Sequence, residues 1–322
     1  MAGNCSKENC YPEETGCNHE GCDVLTDCKF YHADNKEDKE SIAHDSNESE
    51  YFVRIPWTGN TFGLKDLNYL TVTSKVVLIG ITGVASVGKT TFLATLYCML
   101  RHGHSIGDYQ FAGSLTINGW ENIAWYLSWK QNNDIQFPPH TSSNAGRIPG
   151  LLHLTLKNSS GDKKELVFTD APGEWFDNWT FNQNDPNAKG VVWIHQNADA
   201  FLLFADCDKL SGSDLGKARK QTRLVADRLK HNLGNRPLGL VWSKSDIKLD
   251  DEIKLQITNY IKNSPIENYN EFETSVREGT DSQHHLNVCE SINWILLSLN
   301  GQVNIIPGVQ QYKPQDMFLS KR

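Results

Sequence analysis

At 322 residues, with 39% hydrophobic and 22% charged residues, the chain reads as soluble and globular, long enough for one α/β domain plus extras. A net charge of −8 argues against non-specific nucleic-acid binding by the body of the protein. Its apolar runs are too short and interrupted to cross a bilayer and its first residues hold no apolar signal core, so a cytoplasmic protein without membrane contact is expected.

Five of the eight cysteines fall within the first 28 residues, and in a reducing compartment such crowding points to metal rather than disulfides. Cys17, Cys22, Cys28 and His32 have the spacing of a CCCH set, and three thiolates with one imidazole suit a closed tetrahedral Zn²⁺ site. Cys10 can take the place of Cys17, and Cys5 leaves a second, incomplete site open. Cys28-Lys-Phe-Tyr-His32 is similar to the end of CCCH zinc fingers, in which aromatics such as Phe30 and Tyr31 stack on RNA bases. Only Lys7 and Lys29 are basic here, so docking to a protein is the expected role and RNA binding the alternative. The zinc module spans 1–32, and 33–50, with seven acidic and two basic residues, is a linker too polar to order itself. The large domain occupies 51–322.

That domain opens with a strand over Val76–Thr82, followed at once by Gly83-Val-Ala-Ser-Val-Gly88-Lys89-Thr90 and a helix over Lys89–Arg101. G-x-x-x-x-G-K-[ST] between strand and helix is a phosphate-binding loop: Gly83 and Gly88 let the backbone amides, through Ser86, Val87 and Thr91, close on a triphosphate. Lys89 reaches the β- and γ-phosphates, and the Thr90 hydroxyl is a Mg²⁺ ligand. Trp120, Trp125 and Trp129 follow at i, i+5 and i+9, so that at least two share a helix face, a stripe expected to pack. A loop before the next strand holds Thr141, the candidate hydroxyl to complete the Mg²⁺ shell, with Ser142 and Ser143 as rivals. Arg147 reads as a surface arginine, its alternative being charge supplied to a transition state.

Strands over Leu151–Lys157 and Glu165–Asp170 join through the hairpin Asn158–Asp162. Asp170-Ala-Pro-Gly173 then sets an acid at a strand end, able to hold Mg²⁺ through water, three residues before a glycine whose amide can sense a γ-phosphate. Glu174-Trp-Phe-Asp-Asn-Trp is either a nucleotide-gated contact surface or core packing. Further along come a buried strand over Ala200–Asp206, a helix over Ser213–Asn232, a strand over Leu238–Ser243 and a helix near Asp250–Lys262. A last strand over Glu273–Val276 and a closing helix over Val288–Leu299 complete the set. Alternation of strands and helices predicts an α/β fold, its central sheet mainly parallel but made mixed by the hairpin and flanked by helices. After the strand over Leu238–Ser243, the Asp246 carboxylate can accept two hydrogen bonds from guanine N1–H and the 2-amino group, with the Lys244 stem along the base. Backbone amides near Ser275 and Val276 can meet guanine O6.

These motifs resemble those of G proteins of the translation-factor-like class: Gly83–Thr90 as phosphate loop, Asp170–Gly173 as D-x-x-G, Ser243–Asp246 as an [N/T]-K-x-D variant and Thr274–Val276 as a T-S-A-like motif. The resemblance runs from Tyr51 to Leu299. Ile55-Pro-Trp-Thr-Gly and Phe111-Ala-Gly-Ser…Gly119-Trp120 look more narrowly like the bacterial double-GTPase group. It implies a P-loop G domain that binds GTP, GDP and Mg²⁺, in a conflict or defence setting, beside a protein adaptor that reads loops 137–150 and 171–190. It also makes Lys89, Thr141 and Glu174 the candidate catalytic residues. Three departures stand out. Ser243 replaces asparagine or threonine, Val276 replaces alanine, and Glu174 stands where many relatives place a water-orienting glutamine. A carboxylate there can take a proton from water but also brings negative charge to the γ-phosphate, so slow intrinsic hydrolysis, needing a partner, is expected.

Overall fold

The predicted strands Val76–Thr82, Ala200–Asp206 and Leu238–Ser243 are almost wholly apolar, and their burial explains why. The computed structural model describes residues 3–5, 31–33, 60–71, 75–127, 150–263, 266–277 and 282–300. Cys10, Cys17, Cys22, Cys28, Trp129, Thr141 and Arg147 lie outside them. In the cysteine-rich head, β1 (Gly3–Cys5) pairs antiparallel with β2 (Tyr31–Ala33), setting Asn4 opposite His32.

The large domain holds a seven-stranded sheet: β3 (Val76–Thr82), β4 (Tyr109–Gly113), β5 (Gly150–Asn158), β6 (Lys163–Asp170), β7 (Ala200–Asp206), β8 (Leu238–Ser243) and β9 (Tyr269–Thr274). Spatial order is β4-β5-β6-β3-β7-β8-β9, parallel from β6 onward, with β4 and β5 antiparallel at one edge. Its helices among the described residues are α1 (Leu67–Thr71), α2 (Lys89–Arg101), α3 (Ile117–Trp125), α4 (Gly173–Phe181), α5 (Lys189–Asn197), α6 (Cys207–Ser211), α7 (Leu215–Lys230), α8 (Asp251–Lys262) and α9 (Gln283–Asn300). Helices α2, α3 and α9 pack together as one layer, and α4, α5, α7 and α8 as the other. With both faces covered, a central strand has no polar side, which is why every residue of β7 and β8 is buried. The alternation along the chain thus gives the mixed, mainly parallel sheet that it predicts. No helix among the described residues is long and apolar enough to cross a membrane.

Two readings need correction, and one pair of alternatives is decided. Within the tryptophan stripe, Trp120 and Trp125 do not share a face: Trp120 is fully buried, whereas Trp125 is 58% exposed. Trp120 stacks on Tyr97, meets Phe168 edge-on and donates its indole N–H to the His153 carbonyl at 2.7 Å, so both its ring and its polar atom are satisfied inside. Trp120→Ala is expected to destabilise the domain by about 3–5 kcal/mol, read as a lower midpoint in denaturant unfolding.

The last strand is β9, Tyr269–Thr274, not Glu273–Val276. It is polar because its carboxylates have partners: Glu271 accepts from Trp242 Nε1 (2.9 Å) and Thr258 Oγ1 (3.0 Å), and Glu273 from Lys254. Its register against β8 pairs Ser243 with Thr274, so Ser275 and Val276 fall in the loop beyond the sheet. Of the two readings of Glu174-Trp-Phe-Asp-Asn-Trp, contact surface or core packing, the structure decides for the second. The segment lies in helix α4, where Trp175, Phe176 and Trp179 are all buried.

Candidate nucleotide site

Strand β3 delivers the chain into the phosphate loop at the centre of the sheet, where its neighbours β6 and β7 end beside it. The loop needs backbone conformations that most residues avoid: Gly83, Ser86 and Gly88 have φ of 146°, 64° and 88°. Ser86 pays for this without being glycine, a local strain of the sort that gathers at functional sites. Gly88 ends the loop, and its carbonyl accepts the Phe92 amide at 2.9 Å to start α2.

Lys89 is buried, and its ammonium donates to the carbonyls of Gly83 (2.8 Å) and Val84 (3.0 Å), folding back over the loop 5.4 Å from the Phe176 ring. Burial pulls its pKa down from 10.5 to about 8, while Asp170, Glu174 and Asp177 oppose the fall. Thr90 Oγ1 donates to Asp170 Oδ1 at 3.0 Å, so two residues 80 positions apart present hard oxygens to one point. That donor pair fits Mg²⁺, which takes one or two protein oxygens and fills its octahedron with water and phosphate. Gly173 is the first residue of α4, so its amide has no acceptor within the helix. It presses on the loop itself: a Cβ there would lie 2.2 Å from Ala85 Cα. Glu174, one residue on, is exposed on the cleft wall.

 At the ends of β8 and β9, with β8 two strands from β3 in the sheet, lies the other half of the site. Lys244 adopts φ of 56° directly after β8 and donates to Asp206 Oδ2 at 2.8 Å, with Asp208 Oδ2 at 3.6 Å. Asp246 Oδ1 accepts from Ser275 Oγ at 2.6 Å, which fixes the plane of its carboxylate, and the Arg277 guanidinium stands 3.9 Å from Oδ2. Ser243 donates to the Ala205 carbonyl at 3.2 Å, and its Cβ would lie 3.6 Å from a Cβ built on Gly88. The hydroxyl therefore ties β8 to β7 against the phosphate loop.

A single cleft of about 400 Å³ joins the two halves. Ser86, Val87, Gly88, Lys89, Thr90 and Thr91 line its phosphate end with Gly173 and Glu174. Ser243, Lys244, Asp246, Ser275 and Val276 line the other end. Gly83 and Asp170 stand behind this lining, bonded to Lys89 and Thr90. Compared with family models, residues 77–297 match Double-GTPase 2, more than half of the chain. The chain belongs to the Double-GTPase 2 family. No curated protein matches it.

Membership supports a GTP-binding protein, and in and behind the cleft of this double-GTPase stand residues that motif reading passed over. Asp206 ends β7 just as Asp170 ends β6. It is buried, holds Lys244 through Oδ2 and caps α6 through Oδ1, which accepts the amides of Asp208 (3.1 Å) and Lys209 (3.4 Å). The signal was present in the sequence: an acid closing a wholly apolar strand. Lys209 donates to the Ala85 carbonyl at 2.8 Å, and Arg277 closes the base end. Thr141 lies outside the described residues, as do Cys10, Cys17, Cys22 and Cys28, while His32 is described through its strand alone. Among the described residues no group of three or more His, Cys, Asp or Glu side chains could hold a metal ion.

The Lys89 shift sets a pH dependence. Phosphate binds the protonated amine, and a pKa near 8 means that this form is lost as pH rises through 8 rather than through 10.5. Affinity for fluorescent GDP is expected to be level below about pH 7.5 and to fall several-fold by about pH 9, checked by titration at both.

Proposed function

We propose that this protein is a GTP-binding switch that hydrolyses GTP slowly to GDP with Mg²⁺ and is read by a protein partner. One observation carries the reading: a single cleft runs from a phosphate loop with Thr90 and Asp170 joined to a carboxylate, Asp246, held in plane by Ser275. Bound Mg²⁺ would offset charge on the β- and γ-phosphates. Lys89 binds those same oxygens, the Gly173 amide meets the terminal phosphate, and Glu174 faces the attacking water. A glutamate there, adding charge where charge already gathers, supports slow intrinsic hydrolysis.

The output runs through α4. Its first residue abuts the phosphate loop and its Phe176 lies beside Lys89, so movement at the phosphate end shifts a helix whose tail carries the 78% exposed Phe181. The Cys-rich head serves as a zinc-bound docking module for that partner, and the likeness to conflict-associated GTPases gives a bacterial defence locus as its setting. The test is titration of the purified chain with fluorescent GDP and ADP, followed by multiple-turnover phosphate release with and without Mg²⁺. Guanine preference with slow, Mg²⁺-dependent release is expected. Equal or adenine-favouring binding would reject the reading, and absence of turnover would leave a nucleotide-binding scaffold in its place.

A further inference from the structure

We infer that Lys209 is a second phosphate-binding cation, built into the chain to face the terminal phosphate of a nucleoside triphosphate. The inference rests on the GTP-binding reading above. Ala85, the third residue of the phosphate loop, is approached from two sides: by Gly173 at the start of α4, and by Lys209 Nζ, 2.8 Å from its carbonyl. Gly173 marks the terminal-phosphate end of the loop, so Lys209 stands at that end and not beside the base.

The charge balance gives the lysine a purpose. Asp170, Glu174 and Asp177 act on Lys89, and Lys209 acts on both Lys89 and Asp177, so three carboxylates and two ammonium groups gather around the phosphate loop; Lys89 and Glu174 line the cleft, and Lys209 stands behind Ala85 of that lining. A terminal phosphate adds negative charge to a place already acidic, and Lys89 alone does not offset it. An ammonium has three donors. One is tethered to Ala85, which fixes the charge at the loop without a large entropy cost on binding. Asp206 places it there by capping α6, the short helix that carries Lys209. The same carboxylate grips Lys244 at the base end, so one buried acid sets the cations at both ends of the nucleotide.

The experiment compares affinities for GDP and for a non-hydrolysable GTP analogue in wild type, Lys209→Gln and Lys209→Arg. Glutamine can keep a donor to Ala85 but carries no charge. The expected result is about tenfold weaker binding of the triphosphate analogue in Lys209→Gln, with GDP changed less than about twofold, and recovery in Lys209→Arg. Equal losses for both nucleotides would make Lys209 a structural tether, and no loss would make it a surface residue; either overturns the inference. Wild-type binding of guanine nucleotides is read in the same titration, so failure of the GTP reading itself shows there, before any variant is compared.

Discussion

Asp246→Asn is expected to lower GDP affinity by about a hundredfold and to transfer the preference to xanthosine diphosphate. The wild-type carboxylate is acceptor-only, matched to the N1–H and 2-amino donors of guanine. Ser275 Oγ donates to Oδ1 at 2.6 Å, and in the variant that hydroxyl selects the amide oxygen, turning the new NH₂ group toward the base. A donor then faces the donors of guanine, whereas xanthine offers a carbonyl at the same place. Two charge-assisted bonds become one clash, which is why the effect is large. Fold should survive, since the side chain stands at the cleft wall and its Ser275 partner is retained. Parallel titrations with the two diphosphates check it, and unchanged GDP binding would remove Asp246 from base recognition.

How much of this was legible beforehand depended on whether a residue's role is local. The phosphate loop, the Asp170 strand end and the Asp246 segment each announce themselves, because their chemistry needs fixed spacings next to a strand. The mainly parallel, mixed character of the sheet was legible for the same reason: apolar runs separated by helices point to parallel neighbours, while the strand order itself came from the structure. Strand β4 was hidden because its Tyr109–Gly113 pattern is half exposed and lies at the edge, where pairing with β5 rather than burial holds it. The bounds of β9 were misplaced because the partners that allow Glu271 and Glu273 in a strand come from β8 and α8, far along the chain. The aromatics of α4 could be assigned either way from sequence, since Trp175, Phe176 and Trp179 gain meaning only when α7 and α5 pack over them. Lys209 and Asp206 belong to no spacing rule; only the fold brings them to Ala85 and Lys244.

Gly173→Ala tests the contact on which the switch depends. A Cβ at this position would stand 2.2 Å from both the Cα and N of Ala85 and 2.5 Å from the Val84 carbonyl carbon, all of them backbone atoms. No rotamer change relieves such a clash, so either α4 withdraws from the phosphate loop or the loop deforms. Alanine's better helix propensity, worth up to about 1 kcal/mol in a helix interior, is small against that overlap and smaller still at a first helical position. Withdrawal moves the Gly173 amide and Glu174 away from the terminal phosphate together. A displacement of about 1 Å at reacting groups is enough to cost about a hundredfold in rate. The variant is therefore expected to lose about a hundredfold in single-turnover GTP hydrolysis, with GDP binding weakened far less, because Lys89, Thr90 and the base end keep their supports in α2, β8 and β9. Wild-type hydrolysis in a folded Gly173→Ala protein would show that α4 does not act on the terminal phosphate. Equal weakening of both nucleotides would instead place the damage in the loop, leaving the helix without a part in sensing it.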